Sequence, residues 1–136
     1  MPNEASFRIF NPSELHKPVG YSHVAEVASG KLVYIAGQVA LDLSGNLVGG
    51  SDFRAQTAQV FANLSAALKA AGTDFHRVVK FTCYCVEKVD PAQIAAFREI
   101  RDAHVNTAQP PASTFVYVSR LVRPEWLIEV EAIAVA

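Results

Sequence analysis

The segment RVVKFTCYCVEK, residues 77–88, constrains the fold more than any other. Its bulky and β-branched residues predict a strand, and the side chains alternate between two faces. Phe81, Cys83 and Cys85 fall on one face, Tyr84 and Val86 on the other. A strand that is apolar on both faces has to be covered on both.

The rest of the chain punctuates clearly. A short strand lies near SFRIF. YSHVAEVASGKLVYIAGQVAL holds two alternating runs around Ser29-Gly30, which predicts a hairpin with strands at about 22–28 and 31–38. LSGNLVGG reads as turn and loop. Ser51 or Asp52 is placed to cap a helix whose stripe is Phe53, Thr57, Val60, Phe61, Leu64, Leu68 and Ala71, with Gly72 just past its end. Asp90-Pro91 starts a second helix, Gln93 adds a capping-box signal, and the helix runs to about Asn106. AQPPASTFVYVSRL turns from loop into a strand at about 113–119, and WLIEVEAIAVA supplies the last strand.

The predicted order is β-β-β-α-β-α-β-β, an α+β chain of one domain over residues 1–136. Two helices cover one face of such a sheet. The simplest cover for the other is a second copy of the chain, so a homo-oligomer is expected.

Charge narrows the function classes. Net charge is −1, with basic and acidic residues interspersed. That leaves no footprint for nucleic acid or an acidic membrane. No apolar run reaches the ~18 residues of a membrane span, and MPNEASFRIF does not read as a signal peptide. The expected compartment is the cytoplasm. Cys83 and Cys85 would stand roughly 6.5–7 Å apart on one strand face, which strains a disulfide. Two buried thiols fit a reducing compartment.

Glycine-rich phosphate loops, nucleophile elbows and zinc-protease helices are all missing. His16, His23, His76 and His104 show no metal-ligand spacing, so no metal is expected; His23, beside Tyr21, is the least ordinary of them. The most unusual feature is IEVEAIAVA. Glu129 and Glu131 share a strand face with Leu127, Ile133 and Val135. Carboxylates on an apolar face need partners or a purpose. They either pair with Arg or Lys across a subunit interface, or line a crevice where Glu129 could move protons or hold a water.

Several segments together resemble one family. YSHVAEVASGKLVYIAGQVALD, QTAQVFANLSAALKAAG, PPASTF and IEVEAIAVA match, in order, the motifs of the RidA/YjgF/L-PSP proteins. The resemblance implies a chorismate-mutase-like fold and a homotrimer with clefts between subunits. It also implies, as in many members, hydrolysis of reactive 2-imino acids to 2-keto acids and ammonia, with no metal or cofactor. Carried over by position, Tyr21, Gly37, Gln38, Val39 and Thr114 line the cleft, with Ser113 beside them, and Glu129 holds the attacking water. Asn63 takes a structural place on the first helix.

One position departs. Where the deaminating members carry an arginine that grips the substrate carboxylate, this chain has Ala112. A guanidinium pairs with a carboxylate at two points, and alanine has no equivalent. Arg120 and Arg123 in SRLVRPEW are the candidate substitute cations. The expectation is a hydrolase or deaminase of an imine, enamine or related small metabolite with altered substrate choice. The alternative is a trimer that binds a metabolite without catalysis.

Overall fold

The computed structural model describes residues 6–136. In chain order the elements are β1 (Ser6–Phe10), β2 (Val24–Ser29), β3 (Leu32–Gln38), α1 (Phe53–Ala70), β4 (Val78–Val86), α2 (Ile94–Asp102), β5 (Ala112–Val118) and β6 (Ile128–Val135). This is the expected order. Four strands form a mixed sheet in the order β3-β6-β4-β5, with β4 and β5 parallel and the other pairs antiparallel.

The helices cover one face. α1 starts at Asp52, whose side chain accepts from Ala55 N at 3.1 Å, and Gly72 follows its end at φ 77°. Phe53, Val60, Phe61, Leu64 and Leu68 are buried against Phe81, Cys83, Val130 and Ala132 of the sheet. Phe61 is the hub, its ring centroid 5.8 Å from Phe75, 6.0 Å from Phe81 and 5.9 Å from Phe97. Gln56, which the predicted stripe did not include, is buried with it.

Three predicted details change. The Ser29-Gly30 hairpin does not form. β2 pairs with β1 instead, from Phe10↔Val24 to Ser6↔Ser29, and β3 pairs with β6. Gly30, at φ 108°, turns the chain out of one sheet, and Lys31 exchanges both backbone bonds with Ala136 in the other. The β1–β2 ribbon therefore passes the end of the main sheet and docks at its far edge, where Ser22 bridges in parallel to Ala112.

The second helix is also shorter than expected. Asp90 accepts from Ala92 N at 2.9 Å with Pro91 behind it, but the first turn is a 3₁₀ turn and the α-helix ends at Asp102. The Gln93 side chain makes no capping bond.

The third change concerns the face away from the helices. It is not uniformly apolar. β4 sends Lys80, Thr82 and Tyr84 there, and β6 sends Glu129 and Glu131 beside them, as the register Tyr84↔Glu129 and Thr82↔Glu131 requires. Apolar surface surrounds these groups: Leu32 is 51% exposed, Tyr34 71% and Val116 40%.

Candidate functional site

Glu129 sits on this open face, half buried. Its carboxyl group lies against Gly37 in β3, at an irregularity in the pairing with β6 between Ile35 and Gln38. A β-carbon on Gly37 would stand 2.8 Å from Glu129 Cδ and Cγ. Only glycine lets the carboxylate occupy that place. Burial raises the Glu129 pKa above the ordinary carboxylate value, and the charge of Glu131 adds to the rise. Glu131 accepts a 2.9 Å hydrogen bond from the Tyr84 hydroxyl. That bond, then burial, raises the Tyr84 pKa and keeps the phenol a donor.

Asn63 supports the segment next to Gly37. Its amide donates to Val39 O at 3.1 Å and Leu41 O at 2.9 Å, and Gln59 fixes it from behind at 2.9 Å. Gln38 turns its own amide back onto Ala36 O.

The second group of residues lies at the β5 edge. Ala112 and Thr114 face the open side, where Lys80 Nζ donates to Thr114 Oγ1 at 2.6 Å. Ser113 alternates to the helix side, beside Cys83. Tyr21 reaches this edge through the docked ribbon, its hydroxyl 2.8 Å from His16 Nε2. His23 packs edge-on against both rings, at 4.8 Å from His16 and 5.5 Å from Tyr21. A groove of about 830 Å³ between α2 and β5 joins Tyr21, Ser113 and Thr114 to Arg98 and Arg101.

Arg101 was not legible as a site residue. It is buried, bonded to Asp102 at 2.9 Å, with its guanidinium against Gly20. Helical spacing did not mark it for burial, and its guanidinium is covered in part by the segment at Gly20, which packs in from the other end of the chain.

Within one chain these groups stay apart. β6 register sets Lys80 opposite Ile133, four residues from Glu129, or roughly 13 Å along the strand. The Arg120 guanidinium bonds Leu121 O and Val122 O in its own loop, and Arg123 is exposed. Both lie past the far end of β5, roughly 20 Å from Ala112. Cys83 and Cys85 are buried free thiols, with pKa values pushed up by burial to about 12 and about 11. Among the described residues no cluster of His, Cys, Asp and Glu could hold a metal ion, and no helix is long and apolar enough to cross a membrane.

This sheet and its two helices have close counterparts among solved structures. The family model described as Endoribonuclease L-PSP matches residues 13–136. The chain belongs to the RidA/YjgF/L-PSP family. It is 36% identical to Protein DfrA of Myxococcus xanthus over 121 residues, 88% of either chain. It is 36% identical to the 2-iminobutanoate/2-iminopropanoate deaminase of Mus musculus over 116 residues, covering 85% of this chain and 80% of that one. The crystal structure of the conserved Rid-family protein YyfB from Yersinia pestis superposes with a TM-score of 0.84 at 40% identity, covering 96% of this chain and 98% of that one.

Proposed function

We propose that this chain is a hydrolase of imines, enamines or related small metabolites, working as a homotrimer in clefts between subunits. One observation carries the reading: Glu129 is a half-buried carboxylate, held against a glycine, whose pKa is shifted toward a useful base. The similarity to a deaminase named for 2-imino acids supports the reaction class. The exposed Leu32, Tyr34 and Val116 support a subunit interface on the open face, and so does the separation of Glu129 from the Ala112 edge. A neighbouring copy would bring one edge opposite the other.

In this reading Glu129 takes a proton from a water as its oxygen adds to the imine carbon. The nitrogen gains a proton, the C–N bond of the carbinolamine breaks, and ammonia leaves with the ketone formed. Tyr84 keeps Glu131 engaged, so Glu129 is the carboxylate free to act. No metal or cofactor takes part. Ala112 changes substrate choice, because the two-pronged carboxylate clamp is missing.

Ala112 also favours a second reading, a trimer that binds a metabolite and reports it to a partner. One assay separates the two. An amino-acid oxidase generates 2-iminopropanoate from alanine, and a flavin amine oxidase generates a carboxylate-free imine from benzylamine. Semicarbazide competes for each imine. The expected result is faster hydrolysis of at least one imine by the wild type and none by Glu129→Gln. Equal rates for both proteins, at the uncatalysed level, would remove the enzyme reading and leave the binder.

A further inference from the structure

The two carboxylates of the open face are held unequally. Glu129 and Glu131 lie two residues apart on β6, on one face, roughly 7 Å from each other along the strand. Tyr84 stands directly across the ladder from Glu129, and Thr82 across from Glu131. The Tyr84 hydroxyl nevertheless passes by the residue opposite and donates to Glu131 on the diagonal, at 2.9 Å. Among the described residues no side chain donates to Glu129, and neither carboxylate makes an ion pair. The other charged and titratable groups that face the pair are Tyr34 from β3 and Lys80 from β4. Lys80 gives its ammonium to Thr114 Oγ1 at 2.6 Å, and β5 adds only Ala112, Thr114 and Val116 to this face.

We infer that Tyr84 is a positioning residue of the site: its hydroxyl keeps the negative charge on Glu131 and so leaves Glu129 as the carboxylate that takes up and releases the proton. This rests on the reading of Glu129 as the base that activates water. A hydrogen bond to a carboxylate favours its charged form, and two like charges this close resist ionising together. Without the phenol the pair would share one proton between both groups, and Glu129 would hold it for less of the time. With the phenol, the charge fixed on Glu131 acts on Glu129 in the same direction as burial does. Tyr84 touches neither water nor substrate in this account and acts through Glu131 alone.

The test is a pH titration of the side-chain carboxyl groups by carbon-13 NMR in glutamate-labelled protein, with the Glu129 signal assigned by its loss in Glu129→Gln. Tyr84→Phe keeps the ring and removes the donor. It should move the Glu129 titration to lower pH, toward the ordinary carboxylate value. Glu131→Gln should move it the same way, and adding Tyr84→Phe to Glu131→Gln should move it no further. In imine hydrolysis the acid limb of the kcat/KM profile should follow the NMR titration in each variant. A Glu129 titration unchanged in Tyr84→Phe overturns the inference. So does a further shift in the double variant, which would mean that the phenol acts on Glu129 directly. If either happens while wild type still hydrolyses imines, the hydrolase reading stands without Tyr84. If the NMR titrations shift as expected and no imine is hydrolysed, the pairing of Tyr84 with Glu131 stands and catalysis falls.

Discussion

The carboxyl group of Glu129 lies within 2.9 Å of where a β-carbon on Gly37 would stand, so any other residue type there forces it to move. Gly37→Ala should therefore act through Glu129. Overpacking at such a contact costs about 1–3 kcal/mol. Denaturant unfolding should show that loss in the wild type and much less of it in a Glu129→Ala background, because the obstructed group is gone. Equal losses in both backgrounds would mean that the strain lies in the backbone at the β3 irregularity.

Glu129 should also lower stability near neutral pH. Its folded pKa is raised, so its protonated form is the one folding favours. That stability is fully present below the ordinary carboxylate value and is lost as pH rises through the raised folded value. Glu129→Gln should thus melt roughly 1–3 °C higher than wild type at pH 7, after allowance for solvent screening. The difference should vanish near pH 4. A constant difference across this range would assign the effect to packing.

The two cysteines should be inert in the folded protein. With thiol pKa values of about 12 and about 11, almost no thiolate exists at pH 8. Ellman's reagent should find no reactive thiol in the native protein and two after denaturation. Rapid labelling of the native state would show that β4 opens locally.

Gln56 should be among the most sensitive polar positions. It is fully buried, donates to Gly50 O at 2.6 Å and Glu125 O at 3.0 Å, and accepts from Leu127 N at 3.0 Å. Gln56→Ala strands three backbone groups and should cost about 2–4 kcal/mol. Chemical denaturation measures this, and a loss below about 1 kcal/mol would indicate that water replaces the amide.

Much of this was legible in the sequence. Asp52, Pro91 and Gly72 placed the helix ends through local backbone chemistry, and alternation placed every strand to within one or two residues. The pairing Glu129–Glu131 on one face followed from a period of two. Strand partners were another matter. Ser29-Gly30 reads as a hairpin, yet β2 finds β1 because Lys31 is already bonded to Ala136, more than a hundred residues away. Short-range turn signals carry no information about that competition. Arg101 escaped notice for the same reason, because it is buried in part by a segment docked from elsewhere. Alternation also separates Ser113 from Ala112 and Thr114, a division that a contiguous motif conceals.

β6 occupies the middle of the sheet, between β3 and β4, although it comes after them in sequence. Leu32 pairs with Val135 across about a hundred residues. A chain emerging from the ribosome can form α1 and the β4–β5 pair while β3 still lacks its neighbour. Until residues 128–135 arrive, both strands that flank β6 offer open backbone edges to other chains. Closing loops of this length is slow, and slow closure prolongs the exposure. Solubility during synthesis should therefore depend on how quickly the final strand is inserted, more than on the stability of the finished sheet.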